Sequence, residues 1–133
     1  MIVDSSALVA IIWGEAEEAQ CVAAIADCNG AVMSAGNYLE ASIVIDKDRN
    51  PLLSARLDTT LTKLGIEIVA VTAAQAKIAR QAYRDFGKGS GHPARLNFGD
   101  CFAYALATER GEPLLYKGDD FAAAGFASVL AAG

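Results

Sequence analysis

The sequence predicts an α/β fold, a short parallel sheet flanked by helices. Three observations predict it: brief apolar runs recur along the chain, each leads into a helix-capping residue and a stretch of helical periodicity, and glycines close most of the helices. Apolar runs this short, alternating with helices, are joined by crossovers, which give parallel pairing with helices on both faces.

The elements follow in order. Ile2-Val3 is a strand that meets Asp4-Ser5-Ser6, a helix-starting cluster ahead of the periodic Ala7 to Trp13 and a stop at Gly14. A second helix is expected over Glu15 to Asp27, ended by Asn29-Gly30. Ala31-Val32-Met33 is the second strand, and Ser34 caps a helix through Ile45 that breaks before Asn50-Pro51. Leu53, Leu57, Leu61 and Leu64 give the next helix its period, and Gly65 ends it. Ile66 to Val71 is the strand richest in β-branched residues, and Thr72 caps a helix from Ala73 to about Phe86. Gly87 to Arg95, with three glycines and a proline, is a loop. Asn97 and Asp100 have capping-box spacing at the head of a helix that runs to Arg110. Leu114-Leu115-Tyr116 is a fourth strand, Lys117 to Asp120 a tight polar turn, and Ala127 to Leu130 a fifth strand. The expected sheet therefore has four to five strands.

The 133 residues suit a single domain spanning 1–133, and 53% hydrophobic with 20% charged residues suits a globule. The opening Met-Ile-Val-Asp lacks the features of a secretory signal. Ala7 to Trp13 and Ala122 to Ala132 fall short of the ~20 apolar residues that span a bilayer. A soluble, cytoplasmic protein without a membrane partner is expected. Cys21, Cys28 and Cys101 have no paired metal spacing and are expected as core thiols, the first two sharing one buried helical face.

In parallel α/β sheets ligands sit beyond the carboxyl ends of the strands, so the residues directly following each strand carry the functional expectation. Asp4 follows the first strand, and Asp119-Asp120 follow the fourth. Glu40 lies about two turns into the helix after the second strand, and Asp100 in the first turn of its own helix, where the helix dipole favours an ionised carboxylate. Singly, each reads as a cap, turn or surface residue. Together they form a self-repelling cluster of the kind tolerated where a hard cation neutralises it, and Mg²⁺ or Mn²⁺ fits an all-oxygen site.

The segments Ile2 to Ala10, Tyr38-Leu39-Glu40, Leu96 to Cys101 with Tyr104-Ala105, and Leu114 to Phe121 resemble, in this order and over essentially the whole chain, the PIN-domain ribonucleases. More narrowly they resemble the VapC toxins of bacterial toxin–antitoxin pairs. The resemblance implies a PIN-like three-layer fold and a metal-dependent endoribonuclease with Asp4, Glu40 and Asp100 as metal-binding acids. It implies a fourth acid from Asp119 or Asp120, Asp120-Phe121 being the better motif match. Ser6 resembles the small hydroxyl residue that lines such sites. The implied partners are an RNA substrate, an antitoxin whose C-terminal segment covers the site, and a second copy in a homodimer formed through helices.

A net charge of −5 and a pI of 4.7 are unusual for a nucleic-acid enzyme. Discounting the four site carboxylates leaves the chain nearly neutral, and its cations are unevenly placed. Lys77, Arg80 and Arg84 fall on one helix face, continued by Lys88, His92 and Arg95, with only Asp85 among them. This stripe reads as an RNA backbone track, the alternative being an ordinary solvated face; Ser6, Arg80, Arg84, Lys88, Arg95 and Lys117 are the expected substrate contacts. A receiver domain is disfavoured because the third strand ends Ala70-Val71-Thr72 with no acid, and a haloacid-dehalogenase-type phosphatase because position 6 is Ser. The reading from another class is a catalytically idle module of this fold whose acids dock a basic peptide.

Overall fold

The computed structural model describes residues 1–130. In chain order the elements are β1 (Ile2–Val3), α1 (Ser5–Trp13), α2 (Glu18–Asp27), β2 (Ala31–Ser34), α3 (Ala35–Asp46), α4 (Pro51–Leu64), β3 (Ile66–Val69), α5 (Ala73–Phe86), α6 (Phe98–Arg110), β4 (Leu114–Leu115) and α7 (Asp120–Ala123). The strands form one parallel sheet in the order β3-β2-β1-β4. The chain thus winds outward from β1 to β3 and then returns past its own start to place β4 on the other side of β1.

That reversal sorts the helices. Crossovers in a parallel sheet are right-handed, so changing the direction of winding changes the face that the connecting helices cover. Val3, Met33 and Leu115 point into one core with Leu8, Ile12, Cys21, Ile45 and Leu57 from α1 to α4. Their neighbours Ile2, Val32 and Leu114 point into a second core with Cys101, Ala103 and Leu106 of α6 and Phe121 of α7. The three-layer α/β fold is as the sequence predicts.

Five helices start on side chains that accept a backbone N–H: Asp4, Ser34, Asn50, Thr72 and Asn97 cap α1, α3, α4, α5 and α6. Gly14, Gly65 and Gly111 end α1, α4 and α6 in the left-handed conformation that only glycine adopts cheaply.

Four details differ from expectation. Among the described residues the sheet has four strands; Val129 and Leu130 pack against the first core without pairing, so the expected fifth strand does not form. The third strand ends at Val69 rather than Val71. The polar turn after β4 runs on into α7, which is held by Phe121 buried against Tyr116 at 5.2 Å between ring centroids. Finally, Cys21 and Cys28 both pack on the first core, but Cys28 is only half-buried, being the C-cap of α2 with its thiol on the Ile25 carbonyl. No helix among the described residues is long and apolar enough to cross a membrane.

Candidate active site

Order β3-β2-β1-β4 puts the change of winding at β1 and β4, and the crevice beyond their carboxyl ends is where ligands bind in such sheets. α1 begins there directly from β1, α3 begins beyond β2, and α6 begins at the same edge because it leads down to the start of β4. Three helix N-termini therefore point their positive ends toward one place, which favours negative charge between them.

Asp4 is the N-cap of α1, and its capping geometry uses one carboxylate oxygen. Oδ2 accepts from the Ser6 backbone N–H at 3.0 Å and from the Ser6 hydroxyl at 2.7 Å. Oδ1 is buried and has no hydrogen-bond partner. Burial, opposed by the two Ser6 bonds and reinforced by the negative charges of Asp100 and Glu40, pushes the Asp4 carboxyl up to about 7.

Asp100 follows the same pattern at the head of α6. Its Oδ2 accepts from the Asn97 N–H at 2.9 Å while its own N–H donates to Asn97 Oδ1 at 2.8 Å, the capping box that the spacing predicts. Burial is again the largest influence. Against the Asn97 hydrogen bond, and with Asp120 and Glu40 adding to it and Lys88 opposing it, burial brings the Asp100 carboxyl up to about 6. Asp119 and Asp120 are both exposed, but they face different neighbours: the charge of Asp120 bears on Asp100 and that of Asp119 on Tyr116.

Glu40, on α3, is reached by the Ser5 hydroxyl at 2.6 Å. Gly99 is what lets it lie against α6, since a Cβ at that position would fall on the Glu40 carboxylate. Asp4, Glu40 and Asp100 thus lie within electrostatic reach of one another and Asp120 within reach of Asp100, while among the described residues no three acidic, histidine or cysteine side chains already converge on one ligating point.

Ser6 is the bridge between the two strand ends. Its hydroxyl donates to Asp4 and accepts from the Lys117 backbone N–H at 2.9 Å, tying the segment after β4 to the head of α1. The ammonium of Lys117, which the sequence reading assigned to substrate, is held by Glu15 at 3.1 Å and Glu17 at 3.5 Å. Lys117 therefore clasps the loop between α1 and α2. Lys77, Arg80, Arg84, Lys88 and Arg95 are exposed, and among the described residues none of them pairs with an acid. Only Lys88 is close enough to Asp100 to act on it. His92 is built into its loop, with Nδ1 accepting from the Ala94 N–H at 3.0 Å and its ring edge-on to Phe86.

Sequence reasoning missed Ser5, Asn37 and Gly99. Ser5 and Gly99 sit next to predicted acids, but only the meeting of α1, α3 and α6 shows what they touch. Asn37, three residues before Glu40 on the same helix face, offered a spacing clue.

The chain matches the PIN domain family over residues 1–127. It is 48% identical over 130 residues to ribonuclease VapC28 of Mycobacterium tuberculosis, covering 98% of each chain. It is 50% identical over 121 residues to ribonuclease VapC42 of the same species, covering 91% of this chain and 92% of that one. To a ribonuclease VapC of Mycolicibacterium smegmatis it is 45% identical over 129 residues, covering 97% and 99%. Among solved structures, Mycobacterium tuberculosis VapC20, described as a sarcin–ricin loop cleaving toxin, superposes with a TM-score of 0.75 at 20% identity over 98% of both chains. A toxin–antitoxin complex from Klebsiella pneumoniae gives a TM-score of 0.69 at 17% identity over 91% of this chain and 89% of that one.

Proposed function

The chain belongs to the PIN-domain family, with VapC ribonucleases as its relatives, and from that premise we propose that it is a metal-dependent endoribonuclease, the toxin of a toxin–antitoxin pair, cutting RNA at the crevice beyond β1 and β4. The observation that carries the reading is Asp4 Oδ1, a buried carboxylate oxygen without a partner, in the field of two further acids. An ionised carboxylate is costly to bury uncompensated. A hard divalent cation compensates it, and oxygen-only donors suit Mg²⁺ or Mn²⁺.

Asp4, Glu40 and Asp100 would hold such an ion. Asp120 is the better fourth acid because it is the one whose charge bears on Asp100. When bound, the ion supplies positive charge opposite the phosphate and the leaving oxygen and makes nearby water more acidic. The protein does the rest. Ser6 fixes the Asp4 carboxylate, the capping box fixes Asp100, and Ser5 holds Glu40 Oε1, while a carboxylate of this set takes the proton from the attacking water. No side chain needs to form a covalent bond to the substrate.

Incubating the purified chain with structured RNA and sequencing the new ends should show cleavage at discrete sites with Mg²⁺ or Mn²⁺, stopped by chelator. Cleavage that survives chelation would refute the metal-dependent reading.

The unpaired cations from Arg80 to Arg95 are the proposed RNA backbone track, with Lys88 nearest the acids. Changing Arg80 and Arg84 to Ala should weaken RNA binding several-fold in low salt and make the dependence of binding on salt shallower by about two released counterions. An unchanged slope would leave them as solvated surface. Lys117, already paired, joins this track only if an RNA phosphate displaces Glu15.

The proposed homodimer would form through helices, where α3 and α6 expose Leu39, Ile43 and Phe98 at 59%, 58% and 77% beside Phe102. The proposed antitoxin would cover the acidic crevice with a basic C-terminal segment. The proposed setting is a bacterial cytoplasm, with the chain as a single domain.

A further inference from the structure

Asn37 is fully buried where α1, α3 and α6 meet. Its Nδ2 donates to Ser5 Oγ at 3.1 Å and to the Gly99 carbonyl at 2.9 Å. A carbonyl only accepts, so the Gly99 contact fixes which end of the amide is nitrogen. Ser5 Oγ, taking that hydrogen bond, has one proton of its own to give. The nearer acceptor is Glu40 Oε1 at 2.6 Å, with the backbone carbonyl of Asn37 at 3.0 Å as the alternative. One amide therefore reaches both halves of the acid set: Glu40 through Ser5, and Asp100 through the peptide that precedes it.

We infer that Asn37 is a positioning residue that sets the spacing of Glu40 and Asp100 around a shared cation. The inference rests on the metal-dependent reading above and deepens it. Stability alone is a poor reason for an amide here. Asn37 Oδ1 is buried without a partner, an unmade hydrogen bond that an apolar residue at this junction would not carry. The two bonds that Asn37 does make both end on groups adjoining the acids. It touches no candidate ligand directly, and the two groups it holds, Ser5 and Gly99, come from two other helices. Ser5 is the direct hydrogen-bond partner of Glu40, and removing such a partner of a ligand typically changes metal affinity by 10–100-fold.

The test compares wild type, Asn37→Ala and Ser5→Ala, reading Mn²⁺ binding by titration calorimetry, kcat and KM on RNA, and thermal melting. Asn37→Ala is expected to melt cooperatively but to bind Mn²⁺ about tenfold or more weakly, with the loss of activity in kcat and little change in KM. Ser5→Ala removes only the arm to Glu40 and should show the same kind of loss, which keeps the inference testable if Asn37→Ala does not fold. Wild-type Mn²⁺ affinity in folded Asn37→Ala would overturn the positioning role alone, as would wild-type affinity in Ser5→Ala if Asn37→Ala is unfolded. A wild-type protein that binds no Mn²⁺ would overturn the metal-dependent reading itself.

Discussion

Changing Asp4 to Asn is expected to reduce metal-dependent RNA cleavage by more than about 100-fold, the upper range for merely supporting residues, while making the metal-free protein more stable at pH 8. The two effects have one cause. Asparagine keeps the cap, since its Oδ1 can accept the Ser6 N–H and hydroxyl that now bond Asp4 Oδ2. It removes the charge that burial and the neighbouring acids oppose, and it places an amide donor near Asp100 and Glu40 where an unpartnered carboxylate oxygen stands. A structural cap would behave otherwise, losing little activity and gaining no stability. The stability gain should shrink from pH 8 to pH 5 and vanish only below about 3.8, where Asp4 is protonated in the folded and unfolded states alike. Activity assays beside melting curves at the two pH values check both halves.

The metal-free wild type is expected to lose stability as pH rises from 5 to 8, its melting temperature falling by roughly 5–10 °C, a few kcal/mol at this chain length. The sign follows from Asp4 at about 7 and Asp100 at about 6, both above the 3.8 of an unperturbed aspartate. A carboxyl whose folded value is raised binds its proton more tightly in the native state. Its contribution to stability is complete below 3.8 and is lost as pH passes through the folded value. Most small domains are near their stability maximum in this window, so a steady decline would be distinctive. Mn²⁺ should restore the melting temperature strongly at pH 8 and weakly at pH 5, because the ion competes with protons for the same oxygens. A melting temperature that is flat or rising from pH 5 to 8 without metal would count against a buried acid cluster.

Much of the fold was legible because its signals are local. Ser34, Thr72 and Asn97 announce helix starts by residue type, and Gly14, Gly65 and Gly111 announce ends, and the structure uses all six in those roles. The errors lie where tertiary contacts decide. α7 has no side-chain cap at Asp119 and exists because Phe121 finds a pocket against Tyr116, which no local pattern encodes. The segment from Ala127 to Leu130 is apolar enough for a strand, but its apolar side chains, Val129 and Leu130, are taken up by core packing instead.

The candidate site divides the same way. Its acids could be read from their places after strands and at helix heads. Reading Asp4 and Asp100 as either caps or site residues posed a false choice: each spends one oxygen on capping, which aims the other. Ser5 and Gly99 were invisible, and Asn37 was marked only by its spacing from Glu40, because their importance depends on three helices meeting. Lys117 was seen as a cation near the right place, but the acids that hold it, Glu15 and Glu17, lie some hundred positions earlier in the chain and only the fold brings them together.

Crystals grown with Mn²⁺ at pH 8 and measured at the manganese edge test the central claim most directly. The expected result is an anomalous peak bonded to Asp4 Oδ1 and shared with Asp100 and Glu40, at the ~2 Å separations of a small hard cation. Saturating Mn²⁺ with no peak in the crevice, or with Asp4 Oδ1 still buried and unbonded, would contradict it.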